Sequence, residues 1–261
     1  MIEPKAADPI DDRVEFELRK RSLATAMAGD RDLATRAVGV SVDADRYLYS
    51  YQWSWLGLPI IQMPPDILVT QEIIWACRPQ LVIETGVARG GSVILSASLL
   101  QLLGEGGVVA IDIDIRPHNR AAIEQHPLAQ RVELIQGSSI DPAVVEQVRA
   151  RAKGVDRVMV MLDSSHTHDH VLAELEAYAP LVSNGQFLVV ADTAIEFIPA
   201  QEHRPRPWGP GNNPMTALRA YLADHPDFEP DEYLNAKTLY TSSPGGYLRR
   251  RAPVGPGSHD G

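Results

Sequence analysis

The segment LVIETGVARGGS, at residues 81–92, decides the fold class of this chain. Three apolar residues lead into one acid, Glu84, and a turn rich in small residues follows. The turn contains Gly86, Gly90 and Gly91, and glycine lets a backbone turn tightly and approach a ligand closely. A buried strand that ends in such a turn and continues into a helix is typical of a ligand-binding α/β domain.

The sequence between residues 64 and 192 alternates helical patterns with short apolar runs. The runs LVIE, VVAIDID, RVELIQG, RVMVMLD and QFLVVAD lack the period-two alternation of half-exposed strands, which indicates strands that are covered on both faces. We therefore predict an α/β fold with a doubly wound, Rossmann-like parallel sheet. One more helix follows, with two further strand candidates in EYLNAKTLYTS and GGYLRR.

Three regions are predicted along the chain. Residues 1–58 form a helical or irregular N-terminal lead-in, residues 59–250 form the ligand-binding domain, and residues 251–261 form a flexible tail rich in proline and glycine. The aromatic cluster YLYSYQWSWLGLP at residues 47–59 favours a packing or subunit-contact role over a clasp on a ligand.

Composition limits the class of partner. The 261 residues carry a formal net charge of −10 and 44% of them are hydrophobic, which excludes a disordered chain and argues against general binding to nucleic acid or anionic membrane. The single cysteine, Cys77, cannot form an internal disulfide, and neither a signal-peptide pattern nor a membrane-length apolar stretch is present. We expect a cytoplasmic protein that binds a small molecule, with no nucleic acid and no membrane partner.

Acidic residues close most of the predicted strands. Glu84 ends the first strand, Asp112 and Asp114 the second, Asp163 the fourth and Asp192 the fifth. Open α/β sheets bind ligands at the carboxyl ends of their strands. Each acid alone is more often a helix cap or a turn residue, but a buried carboxylate needs a partner or a cation, so together they favour a site.

The glycine turn has the pattern E-x-G-x-x-x-G-G, which differs from the G-x-G-x-x-G of dinucleotide sites. It suits a ligand whose amino group meets an acid and whose carboxylate meets the free amides of a helix that begins near Ser92. S-adenosylmethionine (SAM) carries both groups. Asp112, 28 residues after Glu84, is placed to accept the two ribose hydroxyls. A glycine-rich turn without a ligand remains the alternative.

A second group of residues follows the fourth and fifth strands. Asp163 and Asp192 end strands that we expect to be neighbours, so their carboxylates could converge on one hard cation, for which magnesium is the economical choice. Thr193 could add a third oxygen ligand, and Glu196 could supply it instead.

The run HTHDH contains His166, His168 and His170. Without an H-E-x-x-H motif or a cysteine pair, a zinc site is disfavoured, although an iron site with two histidines and an acid stays open. His166 is predicted to be the general base that takes the proton of an acceptor hydroxyl. A histidine at a helix start with no catalytic role is the alternative.

Four blocks of sequence carry a resemblance to a known family, and they lie at residues 54–92, 111–120, 162–171 and 206–214. From about Tyr47 to Arg250 the chain resembles the cephalosporin hydroxylase family, which has a class I SAM-dependent methyltransferase fold, and it is similar to rhamnosyl O-methyltransferases. The resemblance implies a seven-stranded sheet with the last strand antiparallel, a magnesium ion, and O-methylation of a hydroxyl on a sugar or another secondary metabolite. Because related enzymes often form multimers, we also expect a homo-oligomer.

The resemblance also assigns roles to residues. The positions that hold the methionine and ribose parts of the cofactor match Glu84, Gly86, Ser92 and Asp112, with Gly90 in the same turn. Ser139 matches a position beside the adenine. The metal ligands of catechol-type methyltransferases match Asp163, Asp192 and Thr193, and Asp163 is also counted among the cofactor-binding residues. His166 falls where those enzymes place a lysine base.

The expected mechanism is a direct displacement, in which His166 removes the proton of an acceptor hydroxyl beside magnesium held by Asp163 and Asp192. The loop PWGPGNNP at residues 207–214 could be a lid on the acceptor pocket or a rigid structural loop. Two other functions stay open. One is a non-methylating cofactor-binding component that assists a hydroxylase, and the other is a nicotinamide-dependent oxidoreductase.

Overall fold

The computed structural model describes residues 12–199 and 205–251. The first 11 residues of the predicted lead-in lie outside the described residues, and so does the predicted tail apart from Arg251. The three domain boundaries therefore stay predictions.

The described residues form helices and strands in a regular alternation from residue 64 onward. In chain order they are α1 (Arg13–Gly29), α2 (Arg31–Asp45), β1 (Trp53–Trp55), β2 (Leu58–Ile60), α3 (Pro64–Cys77), β3 (Leu81–Thr85), α4 (Gly91–Leu103), β4 (Gly107–Asp112), α5 (Pro117–Glu124), β5 (Val132–Gln136), α6 (Pro142–Ala152), β6 (Val158–Leu162), α7 (His168–Tyr178), β7 (Phe187–Val190), α8 (Pro214–Asp224), β8 (Phe228–Pro230), α9 (Glu232–Lys237) and β9 (Tyr247–Arg250).

Seven strands form one sheet in the order β5-β4-β3-β6-β7-β9-β8. The first five are parallel to one another, while β9 is antiparallel to both β7 and β8. This confirms the predicted mostly parallel sheet of seven strands with its last strand antiparallel. The chain order reverses between β3 and β6, and ligands of open α/β sheets bind at such a switch point. Glu84 and Asp163 therefore stand at the two sides of this point.

The sheet is covered on both faces, as its continuous apolar strands predict. Successive residues of β3 point to opposite faces, so that Val82 packs in one core cluster while Leu81 and Ile83 pack in the other. The first cluster includes residues of α3 and α4, and the second includes residues of α6, α7 and α8. Because helices cover both faces of the sheet, the carboxyl ends of the strands are its open edge, and polar residues lie there.

The lead-in is helical, as predicted. Of its two helices, α1 buries only Ala24 and α2 buries no residue, and the hairpin β1–β2 joins them to the domain. Among the described residues no helix is both long enough and apolar enough to cross a bilayer.

One strand prediction is wrong. The segment EYLNAKTLYTS contains α9, and the strand β8 precedes it at Phe228–Pro230. The Asp231 side chain accepts a hydrogen bond of 2.9 Å from the amide of Leu234, so it caps a short helix whose Leu234 side chain is buried. The tyrosine, leucine and threonine content favoured a strand, but this cap and the burial of one helical position decide the local structure. The strand in GGYLRR is confirmed as β9.

Candidate functional site

The loop after β3 is held against the end of β4 by Asp112. One carboxylate oxygen of Asp112, Oδ2, accepts hydrogen bonds from the amides of Val87 and Ala88, at 2.8 and 3.1 Å. The other oxygen accepts from the amide of Asp114 at 3.0 Å. Since a carboxylate offers about four lone-pair positions, two of them serve to shape this loop and a third fixes the turn after β4. Whether Asp112 also binds a ribose stays a prediction.

The loop needs glycine because the chain passes close to itself. Gly86 has a φ of +94°, and a Cβ atom there would lie 2.0 Å from the backbone oxygen of Asp163. Gly90 has a φ of +87°, and a Cβ atom there would lie 2.6 Å from the side chain of Ile123. Protein atoms therefore occupy the space that each missing side chain leaves. The consequence is that β3 and the end of β6 meet closely enough to bring Glu84 and Asp163 into one site.

Glu84 is a buried carboxylate with an unmet hydrogen-bonding capacity. Its side chain is 1% exposed, and among the described residues its Oε2 atom has no hydrogen-bond partner. Burial raises the pKa of Glu84 to about 7, and a hydrogen bond with the Ser92 side chain offsets part of this rise. A buried carboxylate oxygen without a donor is costly, so it fits a ligand that brings an ammonium group or another strong donor. The amino group of SAM is such a donor.

Asp163, His166 and Asp192 form a compact cluster at the ends of β6 and β7. One candidate ligand atom from each lies within 4.8 Å of the others. The Nε2 atom of His166 is 3.2 Å from Oδ2 of Asp192. Burial and the nearby charge of Asp192 raise the pKa of Asp163 well above its usual range. A divalent cation would offset this repulsion, and the two carboxylates offer the oxygen ligands that magnesium prefers.

The other two oxygen donors suggested for the cation are engaged elsewhere. The Thr193 hydroxyl is buried and donates to the backbone oxygen of Pro244 at 2.8 Å. The Oε2 atom of Glu196 accepts from the Gly211 amide at 2.9 Å and from the Asn213 side chain at 2.6 Å. Glu196 therefore anchors the loop before α8. Thr193 keeps lone pairs on its oxygen, and its role as a ligand stays a prediction.

The three histidines of the HTHDH run have different surroundings. The His168 ring contacts the Thr216 hydroxyl at 2.9 Å. The Nε2 atom of His170 lies 3.1 Å from the hydroxyl of Ser139 and 3.2 Å from that of Ser164. Only His166 of this run joins the carboxylate cluster, so the run does not place two histidines around one cation. Ser139, which is 5% exposed, is linked to the end of β6 through His170 and Ser164, and its place beside an adenine stays a prediction.

The loop at residues 207–214 folds over His166. The Trp208 ring meets the His166 ring edge to face, with the centroids 4.7 Å apart and the planes at 89°. The Asn212 side chain accepts from the His168 amide at 2.9 Å, and Asn213 caps α8 by accepting from the amides of Met215 and Thr216. The loop is thus an anchored segment that presents an aromatic ring to the predicted base.

Sequence analysis missed Asp66, a carboxylate near this site that is 5% exposed. It accepts hydrogen bonds from the Ser242 amide and hydroxyl, both at 2.8 Å, from the Tyr247 hydroxyl at 2.7 Å, and from the Thr241 hydroxyl. Segment 241–247 is thereby fixed to α3. The backbone oxygen of Ser242 in turn accepts from the Ala194 amide at 3.0 Å, which supports the chain just after Asp192. An acid in a first helical turn reads as an ordinary helix start, so no local signal identifies this role.

Comparison with known proteins places the chain in a family. The family model described as rhamnosyl O-methyltransferase/CmcI matches residues 47–251. A rhamnosyl O-methyltransferase of Mycobacterium bovis is 35% identical over 186 residues, which are 69% of this chain and 71% of that protein. The fold is similar to an apo structure of CmcI, with a TM-score of 0.55, 22% identity and 77% of each chain covered. A CmcI structure with Mg and SAM has a TM-score of 0.52 and 21% identity, with 77% of this chain and 78% of that one covered.

These matches confirm the resemblance that the sequence blocks carry, and the family match extends over the whole sheet and the site at its carboxyl edge. The chain belongs to the rhamnosyl O-methyltransferase/CmcI family.

Proposed function

We propose that this protein is a SAM-dependent O-methyltransferase that acts on a hydroxyl of a sugar or another natural product, with magnesium as its metal. The observation that carries the proposal is Glu84, a buried carboxylate with one unpartnered oxygen at the sheet edge where ligands bind. The family and the mycobacterial relatives named rhamnosyl O-methyltransferase support the reaction and the sugar-like acceptor.

The proposed cofactor site extends from the end of β3 to the end of β5. Glu84 would accept from the amino group of SAM, and the first turn of α4 at Ser92 would face its carboxylate. Asp112 would accept from the ribose, and Ser139 would lie beside the adenine. Gly86 and Gly90 shape the loop between them, and Asp163 closes the cofactor site on the side of β6.

The chemistry needs a base, and His166 is proposed for this role. SAM, when bound, supplies an electrophilic methyl group, and magnesium, when bound between Asp163 and Asp192, supplies positive charge that favours loss of the acceptor proton. His166 accepts the proton of the acceptor hydroxyl. The contact between His166 and Asp192 fixes the orientation of the ring, while Trp208 covers one side of it. Thr193 remains the proposed third oxygen donor to the cation.

The test is methyl transfer from SAM to a panel of glycosides that includes methyl α-L-rhamnopyranoside, followed by mass spectrometry of the methylated product. We expect transfer that stops when a chelator removes the metal and returns with magnesium. His166→Gln should lower kcat by about 100-fold or more. His225→Gln serves as the control, because the His225 ring stacks on Tyr221 and contacts none of the site residues described above.

Two results would contradict the proposal. If the folded wild-type protein does not bind SAM, the proposed methyltransferase function is contradicted. A protein that binds SAM but methylates no glycoside or other hydroxylated acceptor would favour the non-methylating component that assists a hydroxylase.

We also propose that the protein is a homo-oligomer. Four apolar side chains of α1 are 59–74% exposed: Val14, Phe16, Leu18 and Leu23. Such a surface on a lead-in helix suits contact with a second copy of this chain. Light scattering after size exclusion should give a mass above that of one chain, and Phe16→Asp should lower it. A monomeric wild-type protein would contradict this proposal. The cytoplasmic location and the lack of nucleic-acid and membrane partners stay predictions.

A further inference from the structure

A small cavity lies beside the cation cluster. Its volume is about 30 Å³, and its walls include Asp163 and Asp192 together with Gln62, Ser242 and Ser243. Neither Glu84 nor Asp112 lines it. The space is enough for a hydroxyl-sized group, since one water needs about 10–15 Å³ by this kind of measure. The cavity therefore adjoins the residues proposed to hold the cation beside the reacting hydroxyl.

Most polar groups in the cavity wall already have partners. Asp66 also lines the cavity, but it accepts four hydrogen bonds, two of them from Ser242. The Ser243 hydroxyl lies 3.3 Å from that of Ser242. Gln62 differs, because its Oε1 atom is buried and has no hydrogen-bond partner among the described residues. An unsatisfied buried amide oxygen is costly to keep unless a ligand completes it.

We propose that Gln62 determines acceptor specificity by binding a second hydroxyl of the acceptor, next to the hydroxyl that is methylated. This inference rests on the proposed function and names its substrate class, an acceptor with two neighbouring hydroxyls. A hydroxyl both donates and accepts, so it can satisfy either end of the Gln62 amide. The cavity shares Asp163 and Asp192 with the cluster that contains His166, so a group that fills it lies next to the reacting oxygen.

Gln186 provides a matched control for Gln62. Its side chain is 4% exposed, its Oε1 atom also has no partner, and its Nε2 atom donates to the backbone oxygen of Cys77 at 2.8 Å. It precedes β7, at the edge of the sheet opposite the site. Gln62→Met and Gln186→Met therefore both remove an amide whose oxygen is buried and unpartnered, and only the first removes it from the cavity beside the cation cluster.

The experiment measures acceptor KM and kcat, and the Kd of SAM alone by calorimetry, for the wild type and both variants. The acceptor is the glycoside that the wild type methylates best, and a second substrate lacks the hydroxyl next to the methylated one. We expect Gln62→Met to raise KM for the diol by about tenfold, to leave the Kd of SAM within about twofold, and to lose the preference for the diol over its deoxy analogue. Gln186→Met should change none of these values.

The outcomes separate this inference from the proposed function. If the wild type methylates no glycoside, the proposed function fails and the role of Gln62 fails with it. If the wild type methylates a glycoside and Gln62→Met leaves KM and the diol preference unchanged, only the role of Gln62 is overturned. Weaker SAM binding without a change in KM would also overturn it, because Gln62 would then serve the cofactor. Should Gln62→Met prove unstable, Gln62→Asn keeps the amide on a shorter chain and should give an intermediate KM and diol preference.

Discussion

Two buried carboxylates, Asp66 and Glu84, differ in how far their neighbours satisfy them. Both are nearly inaccessible, with 5% and 1% of the residue exposed. Asp66 accepts four hydrogen bonds from Thr241, Ser242 and Tyr247. Glu84 has a hydrogen bond to Ser92, but its Oε2 atom has no partner among the described residues.

The difference separates a structural carboxylate from one that is available to a ligand. Burial of a carboxylate costs free energy and raises the pKa of Asp66, and four hydrogen bonds from the protein offset part of that cost. At Glu84 one carboxylate oxygen has no donor at all among the described residues, and it lies at the carboxyl edge of the sheet where ligands bind. The number of hydrogen bonds that each carboxylate accepts therefore distinguishes Asp66 from Glu84, whereas their burial does not.

The largest expected effect on stability is that of Asp66→Asn. The amide would present hydrogens to hydroxyl and amide donors that now meet a carboxylate, so the free energy of unfolding should fall by about 3 kcal/mol or more. Urea denaturation near neutral pH measures the change. Asp169→Asn is the matched control, because Asp169 is also an acid in a first helical turn but is exposed, and it should cost about 0.5 kcal/mol or less. Equal losses in the two variants would contradict the role of Asp66 as a buried acceptor that fixes segment 241–247 to α3.

Glu84→Gln should have the opposite effect on stability. Because burial raises the pKa of Glu84 to about 7, the folded state binds this proton more tightly than the unfolded state does. The contribution of Glu84 to wild-type stability is therefore expected to fall as pH rises from about 4.5 to about 7. The uncharged glutamine of the variant does not lose a proton, so this decrease is absent from Glu84→Gln. Near pH 8 the variant should be more stable than the wild type by about 1–3 kcal/mol, with the difference shrinking toward pH 5. Denaturation of the ligand-free protein at both pH values measures this, and a variant that is less stable near pH 8 would argue against an unsatisfied Glu84.

Tyr247→Phe should give the smallest effect. It removes one of the four donors to Asp66 and keeps the buried ring, so about 1 kcal/mol of unfolding free energy should be lost. The loss should disappear in the Asp66→Ala background, where the hydroxyl no longer has its carboxylate partner. A double-mutant cycle measures this coupling, and additive losses would show that the hydroxyl acts independently of Asp66.

The sheet and most of its acidic strand ends could be predicted from the sequence because those signals are local. An apolar run that ends in Glu84, Asp112 or Asp163 is visible in a few consecutive residues, and its place at the open edge follows from the fold class. Asp192 and His166 were assigned to one site on the same reasoning, and the structure brings both together with Asp163.

The remaining features depend on contacts between distant parts of the chain. The partners of Asp66 lie about 175 residues away along the chain, so its position in a first helical turn gave no sign of these hydrogen bonds. Gly86 and Gly90 suggested close approach to a ligand, whereas the nearest atoms to a Cβ at either position belong to Asp163 and Ile123. The error at α9 has a similar origin, since the burial of Leu234 is set by packing rather than by local composition.

Glu84 is proposed to keep one oxygen unpartnered for SAM, and calorimetric titration of SAM into the wild type and Glu84→Gln tests this most directly. We predict that the wild type binds SAM and that Glu84→Gln binds it about 10- to 100-fold more weakly, as expected for loss of a charge-assisted hydrogen bond in a buried site. Gln186→Met should bind like the wild type. Equal affinity for the wild type and Glu84→Gln, or no binding by the folded wild type, would contradict the claim.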